Sequence, residues 1–316
     1  MGKKVTVVGA GFYGSTTAQR LAEYDIFDTV VLTDIVEGKP EGLALDLNQS
    51  RPVEGFETKV VGATTGANGE GYEAIEGSDV VVITAGFPRQ PGMSRMDLLG
   101  KNAAIVRDVV FNIVPRSPDA ILIVVTNPLD EMTYLAAEAS GFSRERVLGM
   151  AGVLDSARLR SFIAEELGVS PSSVDAITLG SHGDSMVALP RHATVGGRPL
   201  PDLVDEGTLD RLFRRTRDGG AEIVALLRSG SAYYAPSAAI VAMVEAIAND
   251  SKAVLPVCAW ATGQYGVSDV YVGVPARLGA KGVEEIVELD LNEDELRRLR
   301  DAAEGIRAKC EDLAAL

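Results

Sequence analysis

The stretch Gly9-Ala10-Gly11-Phe12-Tyr13-Gly14 constrains this chain more than any other, because of where it sits. It closes the short apolar run Lys4-Val5-Thr6-Val7-Val8 and leads into a helical pattern over 16–24. In a G-x-G-x-x-G turn the first glycine allows a tight reversal and the second lets backbone approach a pyrophosphate. The third permits close helix–strand packing, and the helix amino terminus faces the phosphates. About twenty residues later, Thr29-Val30-Val31-Leu32-Thr33-Asp34 reads as a second buried strand ending in a carboxylate. Such a carboxylate accepts hydrogen bonds from ribose hydroxyls and repels a 2′-phosphate. Gly9, Gly11, Gly14 and Asp34 are therefore expected to bind a dinucleotide, and NAD is expected over NADP.

The alternation of strand and helix continues. A helix is predicted over 42–48, a strand over 59–62, and a buried strand over 79–84. A long helix follows over 97–114, then a strand over 120–125 closed by Thr126-Asn127-Pro128. This pattern predicts an α/β fold, a Rossmann-type doubly wound parallel sheet, whose ligands bind beyond the carboxyl ends of the strands. The glycine turn, Asp34, the arginine-bearing loop after residue 84 and Asn127 all fall at such ends. After about residue 148 the texture changes. A helix over 155–167 precedes short strands with turns such as Val195-Gly196-Gly197-Arg198. A polar helix over 202–227, a small-residue-rich helix over 235–249, hairpin-like strands within 270–289 and a charged helix from near Asn292 follow. The expected division is a dinucleotide-binding domain over 1–148 and an α+β substrate or catalytic domain over 149–316. No linker separates them, so the halves should pack closely.

Composition narrows the partners. The 316 residues are 46% hydrophobic, enough for a substantial core, yet no run of 18 apolar residues could span a membrane. The amino terminus runs straight into a strand without the apolar core of a signal peptide. Cys258 and Cys310 stand far apart with no metal-ligand spacing, so free thiols in a reducing cytoplasm are expected, and no metal. A net charge of −15 argues against nucleic acid or an anionic membrane as partner. An acidic substrate must then be captured by local arginines, which outnumber lysines 22 to 8.

Only two histidines are present, and one, His182, lies in Gly180-Ser181-His182-Gly183-Asp184-Ser185-Met186. Flanking glycines leave its ring accessible, and a neutral imidazole can move a proton at physiological pH. Asp155 in Leu154-Asp155-Ser156-Ala157-Arg158 could fix the ring's tautomer, although an aspartate there could equally cap its helix. Arg158, three residues on, shares the face of Asp155 and could present a fork to a substrate carboxylate. The loop Phe87-Pro88-Arg89-Gln90-Pro91-Gly92-Met93-Ser94-Arg95 has glycine hinges suited to a lid that carries arginine into a closed site. Together these parts fit hydride transfer on a small hydroxy diacid. The second histidine, His192, lacks comparable surroundings and reads as structural.

Through these segments the chain resembles the lactate/malate dehydrogenase family almost end to end, most closely the malate dehydrogenases of lactate-dehydrogenase-like plan. The match is carried by Thr84-Ala85-Gly86-Phe87-Pro88-Arg89, Pro91-Gly92-Met93-Ser94-Arg95 and Thr126-Asn127-Pro128-Leu129-Asp130. It continues in Met150-Ala151-Gly152-Val153-Leu154-Asp155-Ser156-Ala157-Arg158 and in residues 180–186. The resemblance implies His182 as proton donor and acceptor, Asp155 as its partner and Arg158 as anchor of the substrate carboxylate. It implies that Arg95 polarises the reacting carbonyl and that Arg89 reads the second carboxylate of a dicarboxylate such as malate or oxaloacetate. Asn127 then touches substrate and nicotinamide, while Asn102 and the backbone at Val125 contact the cofactor. A homodimer or homotetramer is also implied. Two residues depart from the family pattern. Tyr13 replaces a small or β-branched residue in the glycine turn, and Ser237 stands after Ala235-Pro236 where glycine is usual.

Overall fold

The computed structural model describes residues 3–87, 95–183, 185–228 and 230–314. In the first half β1 (Lys4–Val8), α1 (Phe12–Glu23), β2 (Thr29–Asp34), α2 (Lys39–Glu54), β3 (Lys59–Thr64) and β4 (Val80–Ile83) follow one another. Then come α3 (Arg95–Ile113), β5 (Ile121–Val124), α4 (Leu129–Ser140) and β6 (Val147–Gly149). The second half runs α5 (Gly152–Leu167), β7 (Val174–Asp175), β8 (Thr178–Gly180), β9 (Met186–Ala188), β10 (Thr194–Val195) and β11 (Arg198–Pro199). It continues with α6 (Glu206–Leu227), α7 (Tyr234–Ala248), β12 (Val254–Thr262), β13 (Ser268–Gly279), β14 (Gly282–Ile286) and α8 (Glu293–Ala314).

Six strands pair in parallel in the order β3-β2-β1-β4-β5-β6. The order reverses between β1 and β4, which opens a crevice at their carboxyl ends. The strands are near-continuous apolar runs because both faces are covered. Val5, Val30, Leu32, Val82 and Ile123 enter one core. Val31, Val81, Ile83, Leu122 and Val124 enter the other. Successive side chains point to opposite faces, so adjacent residues divide between the two.

The sheet does not stop at β6. Cys258 of β12 pairs antiparallel with Gly149, and β12, β13, β8 and β9 extend the same sheet. Both cores therefore include second-half residues, Val257 and Val272 in one and Tyr271 and Leu313 in the other. A smaller core of Leu159, Ile163, Leu200 and Leu212 lies under α5 and α6.

Several elements differ from the sequence reading; helix α2, expected over 42–48, spans Lys39–Glu54. Helix α1 starts at Phe12, four residues earlier than predicted, with Gly11 as its N-cap. Helix α4 follows Pro128 directly; its buried Leu129, Met132, Thr133 and Ala136 repeat at helical spacing. Strand β12 holds Pro256, which demotes a strand in sequence. In the structure Pro256 stands opposite Pro275 of β13, away from the single residue pair that joins β12 to β6. The Pro275 carbonyl accepts the Val287 N–H at 2.8 Å, so this pair faces away from the β12–β13 ladder and Pro256 removes no donor from it.

Candidate active site

Parallel β1 delivers Gly9 at φ +104° to the crevice, a conformation that side chains other than glycine rarely adopt. A Cβ on Gly14 would lie 1.7 Å from the Gly9 carbonyl oxygen, so the third glycine is required by packing. A Cβ on Gly11 would meet nothing within 4 Å, which leaves open space above the first turn of α1. The first four N–H groups of an α-helix lack intrahelical partners, so this turn is a ready anion cradle. Asp34 closes the turn from β2. Its Oδ2 accepts the Ala10 N–H at 2.6 Å, and its Oδ1 accepts the Val36 N–H at 3.0 Å. The residues present thus fit the diphosphate and ribose of a dinucleotide.

Asn102 of α3 is buried and ties two strand-end loops together. Its Oδ1 accepts the Phe87 N–H at 2.8 Å, while Nδ2 donates to the Asn127 carbonyl at 2.6 Å and the Phe87 carbonyl at 3.2 Å. Its amide is engaged by backbone, so it shapes the loops that carry Phe87 and Asn127. Val125 sits where β5 ends, its N–H bonded to the Ile83 carbonyl and its side chain in the core. Arg95 opens α3, but its side chain, and all of Arg89, lie outside the described residues.

The proton-transfer parts come from the second half. Helix α5 begins at Gly152 with Ala151 as N-cap and no side-chain cap, so Asp155 is not the cap residue. Its side chain turns instead to the 180s loop, with Oδ2 2.8 Å from His182 Nδ1. Its Oδ1 accepts a bond from Arg158 Nη1 at 3.3 Å, so the three residues form one linked chain. The Asp155 side chain is 6% exposed and that of Arg158 13%. His182 is brought there by a close backbone approach: Gly180 at φ +83° runs beside Gly273 of β13, where a Cβ would lie 2.4 Å from the Gly180 carbonyl oxygen. His192, by contrast, bonds the Asp290 carbonyl at 2.9 Å, consistent with a structural role.

Sequence reasoning missed three contributors. Asp130, buried in the first turn of α4, accepts the Ser181 hydroxyl at 2.6 Å and the His182 N–H at 3.2 Å through Oδ2. It thereby docks the histidine loop. A carboxylate beside an otherwise apolar helical stripe was its signal. Gly219 and Gly220 of α6 lie against Arg158, and a Cβ on Gly219 would stand 3.2 Å from Arg158 Cδ. Paired glycines inside a helix were the signal there, since each weakens the helix unless space demands it.

Burial works against charge on His182, yet the charge and hydrogen bond of Asp155, with the charge of Asp130, outweigh it and the repulsion of Arg158. The imidazole is held above its ordinary value of 6.5. Burial also raises the Asp130 carboxyl, opposed by its bonds to Ser181, Cys258 and His182. A cleft of about 390 Å³ beside Lys3, Asp79 and Ser117 lies at the other, amino-terminal end of the strands and contains no expected site residue.

Residues 3–149 match the model of the lactate/malate dehydrogenase NAD-binding domain, and residues 152–316 that of the family's α/β C-terminal domain. The chain is 51% identical to malate dehydrogenase of Chloroherpeton thalassium, over 99% of each. The solved malate dehydrogenase of Salinibacter ruber superposes with a TM-score of 0.93 at 49% identity, covering 99% of this chain and 98% of that one. A lactate dehydrogenase of Cryptosporidium parvum, solved with lactic acid and β-nicotinamide adenine dinucleotide, superposes with a TM-score of 0.93 at 39% identity, covering 100% and 99%. A glycine turn closed by Asp34 in the first half, a His–Asp–Arg chain in the second and these matches along both lead to one statement: the chain belongs to the lactate/malate dehydrogenase family.

Proposed function

We propose that this protein is an NAD-dependent malate dehydrogenase, interconverting (S)-malate and oxaloacetate. The observation that carries the reading is the linked chain His182–Asp155–Arg158, with 2.8 and 3.3 Å between its members. The names of the relatives support the same substrate pair. Gly9, Gly11, Gly14 and Asp34 hold the cofactor, with Val125 and Asn127 at the nicotinamide end and Asn102 fixing the loops. When bound there, NAD would supply the hydride acceptor for malate oxidation and NADH the hydride donor for oxaloacetate reduction.

This chain's own residues handle binding and the proton. Arg158 grips the carboxylate next to the reacting carbon, because a guanidinium matches a carboxylate with two parallel bonds. Arg95 polarises the carbonyl. Asp155 engages Nδ1 of His182, so Nε2 is the atom that exchanges a proton with the substrate oxygen. As imidazolium His182 donates it during oxaloacetate reduction, and as imidazole it accepts it during malate oxidation. Arg89 reads the second carboxylate.

The test is Arg89→Gln, with kcat/KM measured for oxaloacetate and pyruvate. Pyruvate carries a methyl where oxaloacetate carries the second carboxylate, and an enclosed guanidinium facing a methyl lacks its partner. A lost charged contact of this kind is worth several kcal/mol, so the oxaloacetate-to-pyruvate ratio should fall by roughly a thousandfold. An unchanged ratio would remove the physical basis of the malate reading. A second copy of the chain is the expected partner, in a homodimer or homotetramer. Exposed Leu45 and Val53 on α2, and Val224, Leu226 and Leu227 on α6, offer apolar surface for it. The free, buried Cys258 and Cys310 suit a reducing cytoplasm.

A further inference from the structure

The carboxylate that ends β2 has a cation beside it. Lys39 is the first residue of α2, and Gly38 at φ +72° turns the chain back toward Asp34 just before it. The Lys39 N–H bonds the Val36 carbonyl at 3.2 Å, which closes that turn. The Lys39 ammonium stands 3.9 Å from Asp34 Oδ2. The same oxygen accepts the Ala10 N–H of the glycine turn at 2.6 Å. The ammonium is therefore placed at the mouth of the crevice, where β2 and the glycine turn meet.

At 3.9 Å the two form an ion pair without a hydrogen bond. The Lys39 side chain is 40% exposed, against 12% for Asp34. Its backbone is held in place. Pro40 follows it, and a Cβ on Gly62 of β3 would lie 2.2 Å from the Pro40 carbonyl oxygen, so the start of α2 is pressed onto the sheet. The neighbouring Glu41 does not compete for the ammonium, because its two oxygens accept the N–H and the hydroxyl of Thr64. Asp34 is tied to backbone and Glu41 to Thr64, while the stem of Lys39 stays free to turn.

A 2′-phosphate on the adenosine ribose carries close to two negative charges. It would stand next to the carboxylate that bonds the ribose hydroxyls. A carboxylate alone repels it. A carboxylate with an ammonium beside it presents little net charge, and that ammonium can turn from one anion to the other. We propose that the cofactor site admits a nicotinamide dinucleotide bearing a 2′-phosphate as a secondary ligand, with Lys39 the residue that receives the phosphate. The inference rests on the dinucleotide reading of the glycine turn and Asp34, and not on which 2-oxo acid is reduced. NAD stays the preferred cofactor, because Asp34, Glu41 and the exposed Glu37 outnumber the single lysine.

The experiment measures the dissociation constants of NADPH and NADH by calorimetry at low ionic strength. The proteins are the full chain, Lys39→Met and Lys39→Arg. Methionine keeps much of the apolar stem and removes the charge. Wild type should bind NADPH measurably, though less tightly than NADH. Lys39→Met should weaken NADPH about fivefold, as the loss of a partly exposed ion pair does, and leave NADH within about twofold. Lys39→Arg should keep NADPH within about twofold of wild type, because the charge remains. Added salt should shrink the Lys39→Met effect by screening. Unchanged NADPH affinity in Lys39→Met overturns the proposal. Equal weakening of NADPH and NADH also overturns it and assigns Lys39 to a part that both cofactors share. A wild type that binds NADH but no NADPH at millimolar concentration overturns it too. A wild type that binds neither dinucleotide would instead remove the dinucleotide reading itself.

Discussion

His182 sits between two carboxylates, and only one of them touches its ring. Asp155 meets Nδ1, while Asp130 holds the backbone N–H and the neighbouring Ser181 hydroxyl. Both negative charges favour the imidazolium against the cost of burial. Oxaloacetate reduction needs that protonated form, so kcat/KM for oxaloacetate should decline as pH rises through a value above 6.5. Malate oxidation should rise over the same interval. Asp130→Asn keeps an oxygen for Ser181 and the His182 N–H but removes one negative charge. Its descending limb should move to lower pH than in the wild type, measured as kcat/KM against pH. Coincident profiles would leave Asp130 a purely structural anchor. His182→Asn should abolish turnover in both directions with NADH binding retained; near wild-type turnover would end the assignment of the proton to His182.

At the scale of the element, α6 shows how a helix accepts a local loss for the site it backs. Its buried face is Leu212, Thr216 and Gly219. A glycine within a helix costs about 1 kcal/mol relative to alanine. Gly219→Ala should therefore favour the helix, yet its Cβ would stand 3.2 Å from Arg158 Cδ and 3.6 Å from Nε. At Gly220 the corresponding distances are 3.6 and 3.9 Å to the two terminal nitrogens, which is ordinary contact. Gly219→Ala should displace the guanidinium and raise KM for oxaloacetate by about tenfold, equivalent to ~1.4 kcal/mol. Gly220→Ala should stay within about twofold. Equal effects from both would mean that the clearance at Gly219 does not position Arg158. Helix α8 is a contrasting case of purely local specification. The Asn292 side chain accepts the Glu295 N–H at 2.9 Å, and the Glu295 carboxylate accepts the Asn292 N–H at 2.9 Å. This reciprocal capping is legible as Asn-x-x-Glu in sequence.

On the scale of the whole molecule, one sheet crosses from the first half to the second through β6 and β12, and both cores cross with it. Neither half could unfold without exposing the apolar partners of the other. Calorimetry should record one cooperative transition; two resolved transitions would separate the halves energetically. The sedimentation mass should be two or four times the 33.3 kDa of the chain, and a 33.3 kDa species alone would remove the oligomer inference. On the proposed reading, a net charge of −15 leaves substrate anions to be recruited by local arginines such as Arg158 rather than by the surface at large.

What sequence determined by itself was whatever depends on neighbours along the chain. Strands 29–34 and 80–83 were legible because burial on both faces makes an unbroken apolar run. The glycine turn was legible because three glycines at fixed spacing answer to one backbone geometry. The capping start of α8 needed only four residues. Helix α4 was obscured by the proline before it, and β12 by the proline within it, since only the paired strand shows that no ladder donor is lost there. The site needed the tertiary structure most. Asp155 read alone could equally cap its helix, and only the fold turns it toward a loop 27 residues away. Asp130 and Gly219 have no local reason to serve His182 and Arg158. Their roles come from distances between segments far apart in sequence, set by how one sheet and its covering helices pack.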